Sequence, residues 1–352
     1  MNKKPTAEDL VEFARARRER ELTRNSAHKT RELDTAHARI AELERRLELM
    51  ARIDDAASAL TPARVSRKGR TRTGDKRVGA AFTVASDWHV EERVDPKVVQ
   101  GLNEYNPTIA ARRIERYFQG LEWLILENRQ SHTLHELWVA ALGDFITGYI
   151  HEELLESNFS SPLQAIEFWL DHFEKGLRYL INVVPDLTIK VACRFGNHGR
   201  TTPKTRIATA AANSFEWFAY CQLAKMLRDV PQIEVHVTEG HHSVIEIYKQ
   251  RVHLHHGDSI RSAGGIGGID VPLNRAVAQW RNKYKSDISV VGHFHRFQMG
   301  ERLVTNGSLI GYGAYSDWLA SADPEPPQQA FCVFDERRGK CKNTPIWVGE
   351  SK

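Results

Sequence analysis

Short apolar runs recur along the chain from residue 78 onward, and helical patterns separate them. Two helices are predicted to begin at Asn106-Pro107 and Ser161-Pro162, because proline is favoured at the first helical position. The second is expected to run to about residue 184, and a third helix to span about 206–228. Strands that alternate with helices predict a layered α/β domain. The apolar runs end abruptly in Gly, Asp or His and span residues 80–86, 136–142, 188–195 and 288–291.

The second half of the chain continues the mixed pattern. Residues 243–248 and 251–256 flank Lys249-Gln250 and predict a β-hairpin. A helix is expected over 271–283, and further strand-like runs lie at 301–305 and 329–335. With 352 residues, of which 41% are hydrophobic, the chain is long enough for one large α/β domain and an appendage.

Polar motifs stand where the predicted strands end. Ligands in open α/β sheets gather at the carboxyl ends of the strands, so five such motifs can converge on one place. A single Asp-x-His or Gly-Asp is a weak signal, whereas an ordered set of five is far more specific. The motifs are Asp87-Trp88-His89, Gly143-Asp144, Gly196-Asn197-His198, His256-Gly257 and Gly292-His293-Phe294-His295.

The residue types in these motifs predict a metal site. Carboxylates, an amide and imidazoles suit manganese, iron, zinc or magnesium, and the absence of thiolates argues against copper(I) and iron–sulfur centres. In Asp-x-His and His-x-His, alternate residues of an extended segment point the same way, so both can face one ion. The glycines that precede Asp144, Asn197 and His293 permit tight turns.

In this order the motifs resemble those of the calcineurin-like metallophosphoesterase family, over about residues 80–348. The segment from Gly143 to Gly148 and the one that begins at Ile150 also look like phage-encoded members of the repair-exonuclease type. The resemblance implies a two-sheet α/β sandwich flanked by helices. It also implies two divalent metal ions, with Mn2+ favoured over Mg2+, Fe2+ or Zn2+, and a metal-bridging hydroxide that attacks the phosphate ester.

Residue by residue, the resemblance assigns a role to each motif. Asp144 would bridge the two ions, and His198 would be the catalytic histidine beside the scissile phosphate. The ligands of the first ion would be Asp87, His89 and His295, and those of the second Asn197, His256 and His293.

One departure from the family pattern concerns the residues after Gly-Asn-His. Many members have an acid there, but this chain continues with Gly199 and Arg200. If that acid orients the histidine, then Glu152, Glu153 or another acid must replace it. Arg200 could clamp a substrate phosphate, with plain solvent exposure as the alternative.

The N-terminal part carries all of the basic excess. Residues 1–79 contain 20 Lys/Arg and 13 Asp/Glu, whereas the remainder has a formal charge of −3. We divide the chain into a helical arm at 1–61, a basic flexible linker at 62–78 and a metallophosphoesterase domain at 79–352. Seven basic residues lie within 64–77, where nucleic-acid contact and a solvated hinge are both open interpretations.

A short heptad seam lies within the helical arm. It could form a homodimer through residues 33–57 or dock onto the main domain. The seam consists of Leu33, Ile40 and Leu47, with Ala36, Leu43 and Met50 as the second set.

Four scattered cysteines without a CxxC pair are typical of reduced cytoplasmic proteins. The N-terminus lacks the apolar region of a signal peptide, and no segment is apolar enough to span a membrane. We therefore expect a cytoplasmic protein, located in the host cytoplasm if it is phage-encoded, with no membrane partner.

Three functions remain open at this point. The first is a nuclease or phosphodiesterase that acts on DNA, which the basic arm and the phage-nuclease resemblance favour. The second is a phosphomonoesterase that acts on a phosphoprotein or a small nucleotide, which the acidic main domain favours. The third is a non-enzymatic, metal-stabilised assembly protein organised by its coiled coil, against which the complete ligand set argues.

Overall fold

The computed structural model describes residues 76–261, 268–319 and 324–350, together with His37. The predicted heptad seam and most of the predicted linker lie outside the described residues. All the elements below belong to the unit that spans residues 56–352.

Strands and helices alternate through the first half of the described chain, and strands dominate the second half. The strands are β1 (Arg77–Ala85), β2 (His132–Ala141), β3 (Thr188–Cys193), β4 (Ile233–Val237), β5 (Ser243–Ile247), β6 (Gln250–His255), β7 (Ile288–Val291), β8 (Gln298–Met299), β9 (Leu303–Thr305), β10 (Gln328–Asp335) and β11 (Gly339–Trp347). The helices are α1 (Pro107–Asn128), α2 (Leu154–Ser157), α3 (Pro162–Val183), α4 (Phe215–Met226), α5 (Asp270–Tyr284) and α6 (Ala314–Leu319).

These strands form two mixed sheets. The first has the order β11-β10-β1-β2-β3-β4, and the second has the order β5-β6-β7-β9-β8. Strands β1 to β4 run parallel to one another, as do β6, β7 and β9 in the other sheet. Parallel strands place their carboxyl ends at one edge, so each sheet offers one edge at which motifs can collect.

The side chains of β1 alternate between two cores. Phe82 and Val84 pack against residues of the second sheet, including Leu254 and Val290. Ala81 and Ala85 face the opposite way, into a core shared with α1, α3 and α4. Helix α5 covers the outer face of the second sheet through its buried Leu273 and Val277. The predicted two-sheet α/β sandwich flanked by helices is therefore confirmed.

The third predicted helix is wrong in its first part. Helix α4 begins only at Phe215, because the Ser214 side chain accepts a hydrogen bond from the backbone N–H of Trp217 and caps the helix there. Residues 206–210 instead belong to a loop, and a 3-10 turn at Ala211–Asn213 leads into the helix.

The end of the predicted linker also needs correction. Arg77 and Val78 lie in β1 and pair with His132 and Thr133 of β2. The Arg77 guanidinium lies 3.5 Å from the carboxylate of Asp335, which holds the strand to its neighbour β10.

Two strands, β4 and β11, carry little sequence signal. Both lie at the edges of the first sheet, where one side of each strand is not paired with another strand of that sheet. Most of their side chains are partly buried or exposed, and only Ile233 and Ile346 are buried. Within the described residues, no helix combines the length and the apolar character needed to cross a membrane.

Candidate metal centre

The polar motifs meet where the carboxyl edges of the two sheets face each other. Asp87, Asp144 and Asn197 follow β1, β2 and β3 of the first sheet, and His256 and His293 follow β6 and β7 of the second. Among the residues that the structure describes, three groups of possible ligands have donor atoms that all lie within 4.8 Å of one another. They are Asp87, His89 and His295; Asp144, His256 and His293; and His89, Asp144 and His198.

The backbone of the proposed ligands adopts an uncommon conformation. A positive φ is costly for a residue with a Cβ atom, and non-glycine residues in this region are concentrated at functional sites. Among the proposed ligands it occurs at Asp87 (58°), His89 (48°), Asp144 (53°), His293 (70°) and His295 (52°). The left-handed backbone turns the side chains of the loops after β1, β2 and β7 toward the candidate metal centre, a direction that an extended backbone at a strand end would not give.

Two glycines allow the loops that carry Asp144 and Asn197 to approach each other. A Cβ atom added to Gly143, which has a φ of 85°, would lie 2.0 Å from the backbone nitrogen of Gly196. A Cβ atom on Gly196 would lie 2.1 Å from the Asp144 carboxylate. Gly143 is therefore required for both its conformation and its small size, and Gly196 for close approach alone.

His89 is oriented by a chain of hydrogen bonds. The Thr147 hydroxyl donates to Glu92 Oε2 at 3.2 Å, so it accepts from His89 Nδ1–H at 3.1 Å. This leaves the lone pair of His89 Nε2 directed at His295 Nε2, 3.3 Å away. Two imidazole nitrogens at that separation suit ligation of one ion, since each metal–nitrogen bond is about 2.0–2.1 Å.

His256 is held in a similar way from the second sheet. Its Nδ1–H donates to the carbonyl oxygen of Leu142 at 2.7 Å, so Nε2 faces the centre. There it meets Asp144 Oδ2 at 2.8 Å and Asn197 Oδ1 at 3.2 Å, both of which are acceptors. A ligating histidine commonly donates its other ring nitrogen to a carboxylate, a backbone carbonyl or a water, and His256 follows that pattern. His89 differs, because its partner is the Thr147 hydroxyl.

Electrostatics around Asp144 favour a cation at this place. Burial opposes the charge on Asp144, but the imidazoles of His256 and His198 keep the pKa of this carboxyl well below its usual range. Burial also disfavours a charged His256, yet the Asp144 carboxylate raises the pKa of His256 to about 10. A divalent ion would replace that proton, because ligation requires a neutral imidazole.

The remaining proposed ligands lie at the same centre. Asp87 Oδ1 accepts from the backbone N–H of His293 at 2.9 Å, and the same oxygen lies 3.4 Å from His295 Nε2. Burial lowers the pKa of His293 to about 4, and burial together with the His198 ring lowers the pKa of His89 well below its usual value. These two rings are therefore neutral near pH 7, with lone pairs available for a metal.

His198 lies beside Asp144 and receives its orientation from the backbone. Its backbone N–H donates to Asp144 Oδ1 at 2.8 Å, and its Nδ1–H donates to the carbonyl oxygen of Thr147 at 2.8 Å. The orienting partner is thus a carbonyl and not an acid, while Glu152 and Glu153 are exposed. Nε2 of His198 is left available for a substrate.

Arg200 has a structural task in this structure. Its guanidinium donates to the carbonyl oxygens of Asn197 at 2.9 Å, Thr202 at 3.1 Å and Pro203 at 3.3 Å. It therefore ties the loop that follows Gly199 to a proposed ligand residue. Three of the five N–H groups of a guanidinium are used in this way, so two remain for a substrate.

Glu216 is a site residue that the sequence reasoning missed. Its fully buried carboxylate accepts from the backbone N–H groups of Phe145 and Gly196, each at 2.7 Å. It thereby joins the turns that carry Asp144 and Asn197. The sequence did contain one indication that Glu216 is buried. At helical spacing it lies on the same face as Ala219, Tyr220 and Leu223, which are all buried.

Glu91 supports the same region from the other side. Its Oε1 accepts from the backbone N–H groups of Thr147 at 2.9 Å and Gly148 at 2.8 Å. Burial raises the pKa of Glu91 to about 8. The position directly after Asp87-Trp88-His89-Val90 is its only sequence signal.

We expect Glu216→Gln to destabilise the fold and weaken the centre. A glutamine amide offers one acceptor oxygen and would turn its NH2 group toward the second N–H donor. A buried donor left unsatisfied costs about 1–3 kcal/mol, so the free energy of unfolding measured in urea should fall by about that amount. Glu127→Gln, at an exposed position of α1, is the matched control and should leave it unchanged. Equal stability of the two variants would contradict the linking role of Glu216.

Comparisons with known proteins add little to this geometry. No family model and no curated protein matches the chain. Among solved structures, vacuolar protein sorting 29 from Cryptosporidium parvum is 14% identical over 76% of this chain and 97% of that chain, with a TM-score of 0.29. A protein from Streptococcus pneumoniae TIGR4 described as a predicted phosphoesterase is 12% identical over 76% and 98%, with a TM-score of 0.28. A hypothetical protein from Pyrococcus horikoshii OT3 is 13% identical over 78% and 89%, with a TM-score of 0.37. Likenesses this distant carry no functional argument.

Proposed function

We propose that this protein is a phosphodiesterase that hydrolyses DNA with two divalent metal ions, of which manganese is our first choice. The observation that carries the proposal is the set of three donor groups, with residues from both sheets, that meet at one centre. Their carboxylate oxygens and imidazole nitrogens suit Mn2+, Mg2+, Fe2+ or Zn2+.

In this proposal the ligands divide between two ions. The first ion would be held by Asp87, His89 and His295, and the second by Asn197, His256 and His293. Asp144 belongs to two of the three donor groups, which supports a bridging role. When bound, two such ions polarise the phosphoryl oxygens and lower the pKa of a bound water, which supplies a nucleophile near neutral pH.

His198 would act on the leaving group. Its Nδ1–H is engaged with Thr147, so a proton can be exchanged only at Nε2. Burial lowers the pKa of His198, but the negative charge of a bound phosphate would favour protonation at Nε2. The ring could then donate that proton to the departing oxygen.

DNA is proposed as the substrate because of the charge distribution. The seven basic residues within 64–77 supply positive charge next in sequence to the domain that carries the centre. A phosphomonoesterase is the second candidate, which the formal charge of −3 on residues 80–352 favours. A DNA-binding surface depends on lysine and arginine contacts to phosphates, so the two candidates differ in their dependence on the basic segment.

A substrate panel tests the proposal. Single-stranded DNA, duplex DNA, RNA, p-nitrophenyl phosphate and bis(p-nitrophenyl) phosphate are incubated with the full chain and manganese, with and without EDTA. We expect hydrolysis of DNA and of the bis ester, and EDTA should abolish both. Hydrolysis of the monoester alone would favour the phosphomonoesterase, and a lack of activity on every substrate would contradict both candidates.

The basic linker supplies a second prediction about DNA. Arg77 lies in β1 and is kept, while the other six basic residues of 64–77 are replaced by serine. Affinity for single-stranded DNA should fall, and the slope of log K against log salt should become shallower by about 0.7 for each phosphate that the variant no longer neutralises. Fluorescence anisotropy at several salt concentrations measures both quantities.

This design leaves residues 33–57 intact, so a dimer formed through them would be preserved and reduced avidity would not confuse the result. Sedimentation of the variant and the wild type checks that their oligomeric states agree. Unchanged affinity at moderate salt would show that the linker does not anchor DNA, and it would raise the standing of the phosphomonoesterase.

A further inference from the structure

A cleft opens beside the proposed second metal position. Asn197, which is a proposed ligand, forms part of its wall. Other parts of its wall come from Arg200, Thr202, Thr205 and Arg206 and from Ala210, Asn213 and Ser214 just before α4. Residues of the cleft that could contact a ligand include Arg200, Thr205, Arg206, His241 and Asp258. The proposed mechanism leaves this cleft without a role.

The segment 200–207, which contributes Arg200, Thr202, Thr205 and Arg206 to the lining of the cleft, has an unusual composition. It contains two arginines, one lysine and three threonines, and it has no acidic residue. Guanidinium, ammonium and hydroxyl groups are the side chains that most often bind phosphate oxygens. We call residues 200–207 the phosphate loop.

The phosphate loop is anchored at both ends. At its start, Arg200 donates to the carbonyl oxygen of Asn197, so the loop is bonded directly to the metal centre. At its end, Nε2–H of His241 donates to the carbonyl oxygen of Ile207 at 3.2 Å. Between them the Thr202 hydroxyl donates to the carbonyl oxygen of Lys204 at 2.7 Å. Arg200 and His241 are therefore positioning residues that hold the loop against the cleft.

Two cations of the phosphate loop are available to an anion from solvent. Lys204 and Arg206 are exposed, and neither forms an ion pair with another residue in the part of the chain that the structure describes. Asp258 is the one carboxylate among the cleft residues named above, and together Arg200 and Arg206 exceed it in charge. An anion that enters the cleft would meet Arg206 in its lining, and Lys204 stands two residues before Arg206 on the same loop.

We propose that the phosphate loop binds a second phosphate of the substrate, the one next to the scissile phosphate along a nucleic-acid strand. This inference rests on the proposed phosphodiesterase function and extends it. It implies that the enzyme prefers polynucleotides over phosphodiesters that carry a single phosphate. The physical reason is that a second charged contact contributes binding only when the substrate has a second phosphate within reach of the loop.

The test compares a substrate that has neighbouring phosphates with one that does not. We use a short oligothymidylate and bis(p-nitrophenyl) phosphate, with the double variant Lys204→Ser/Arg206→Ser in the full chain with manganese. The ratio of kcat/KM for the oligonucleotide to that for the bis ester should fall by about 10-fold, mainly through KM, since a hydrogen bond to a charged group typically contributes that much or more. A binding measurement supplies a readout independent of turnover, because removing the two cations that together neutralise one phosphate should flatten the salt dependence of oligothymidylate affinity by about 0.7.

Arg337→Ser/Arg338→Ser is the charge-matched control. These two exposed arginines follow β10, beside the start of β1 and hence at the opposite edge of the sheet from the metal centre. The control should retain the wild-type ratio and salt dependence. If Lys204→Ser/Arg206→Ser has the same kcat/KM ratio and the same salt slope as the control, the assignment of the phosphate loop is overturned. In that case the proposed function still stands, provided that the wild-type protein hydrolyses both substrates. A wild type that hydrolyses neither substrate would overturn the proposed function and the phosphate loop with it.

Discussion

Asp144→Asn should lower hydrolysis of DNA and of the bis(p-nitrophenyl) ester by more than about 100-fold, since loss of a group that merely supports a metal ligand already costs about 10–100-fold. Asp144 Oδ1 is held by the backbone N–H of His198, and Oδ2 faces His256 Nε2. Asparagine keeps the shape of the side chain but loses the charge and one acceptor oxygen. As the proposed bridge, Asp144 serves both ions, so elemental analysis should show reduced metal content.

The protein should remain folded, because the loops around Asp144 are held by backbone hydrogen bonds and by Glu216, which the substitution does not remove. Asp229→Asn is the control, since the Asp229 side chain is 88% exposed. It should match the wild type in activity and metal content. Wild-type metal content and activity in Asp144→Asn would remove Asp144 from the metal centre.

His198→Ala should lower turnover on DNA by about 10²–10⁴-fold, which is the typical contribution of a general acid or base. The loss on a nitrophenyl ester should be smaller, because that leaving oxygen departs without a proton. Metal content should stay at the wild-type level, since the proposed ligand set does not include His198. Steady-state kinetics on both substrates and elemental analysis of the purified variant measure these quantities.

Measuring the metal content of His198→Ala distinguishes a metal ligand from a general acid. Its ring lies close enough to His89 and Asp144 to form a possible ligand group with them. A variant that loses metal would make His198 a ligand, and an equal loss of turnover on both substrates would argue against acid catalysis. His135→Ala, whose side chain is 60% exposed, should behave as the wild type in each measurement.

The sequence alone determined the type of fold and the residues worth testing. The apolar run at 288–291 coincides with β7, and the helix predicted at Asn106-Pro107 begins at Pro107 with the Asn106 side chain as its cap. These features depend on neighbours in the sequence: the period of apolar residues, a proline at the first turn and a polar cap. The position of polar motifs after strands could likewise be read locally, because a strand and the residue that follows it are covalently joined.

The tertiary structure decided how those local pieces form a centre. Local sequence patterns could not indicate which strands belong to which sheet, or that the carboxyl edges after β1 to β3 and after β6 and β7 face each other, because strand pairing joins residues far apart in the chain. The role of Glu216 is decided in the same way, because its carboxylate joins turns 71 and 20 residues away.

Local preference also failed where long-range contacts were stronger. Residues 206–210 have helical character, but the phosphate loop is bound to Asn197 through Arg200 and to His241 through Ile207. Because these contacts hold residues 200–207 at the cleft, helix α4 begins only at Phe215. Helix propensity amounts to less than about 1 kcal/mol per residue, so contacts with the rest of the fold outweigh it. Those contacts form only when the whole domain has folded, so a local sequence pattern cannot predict them.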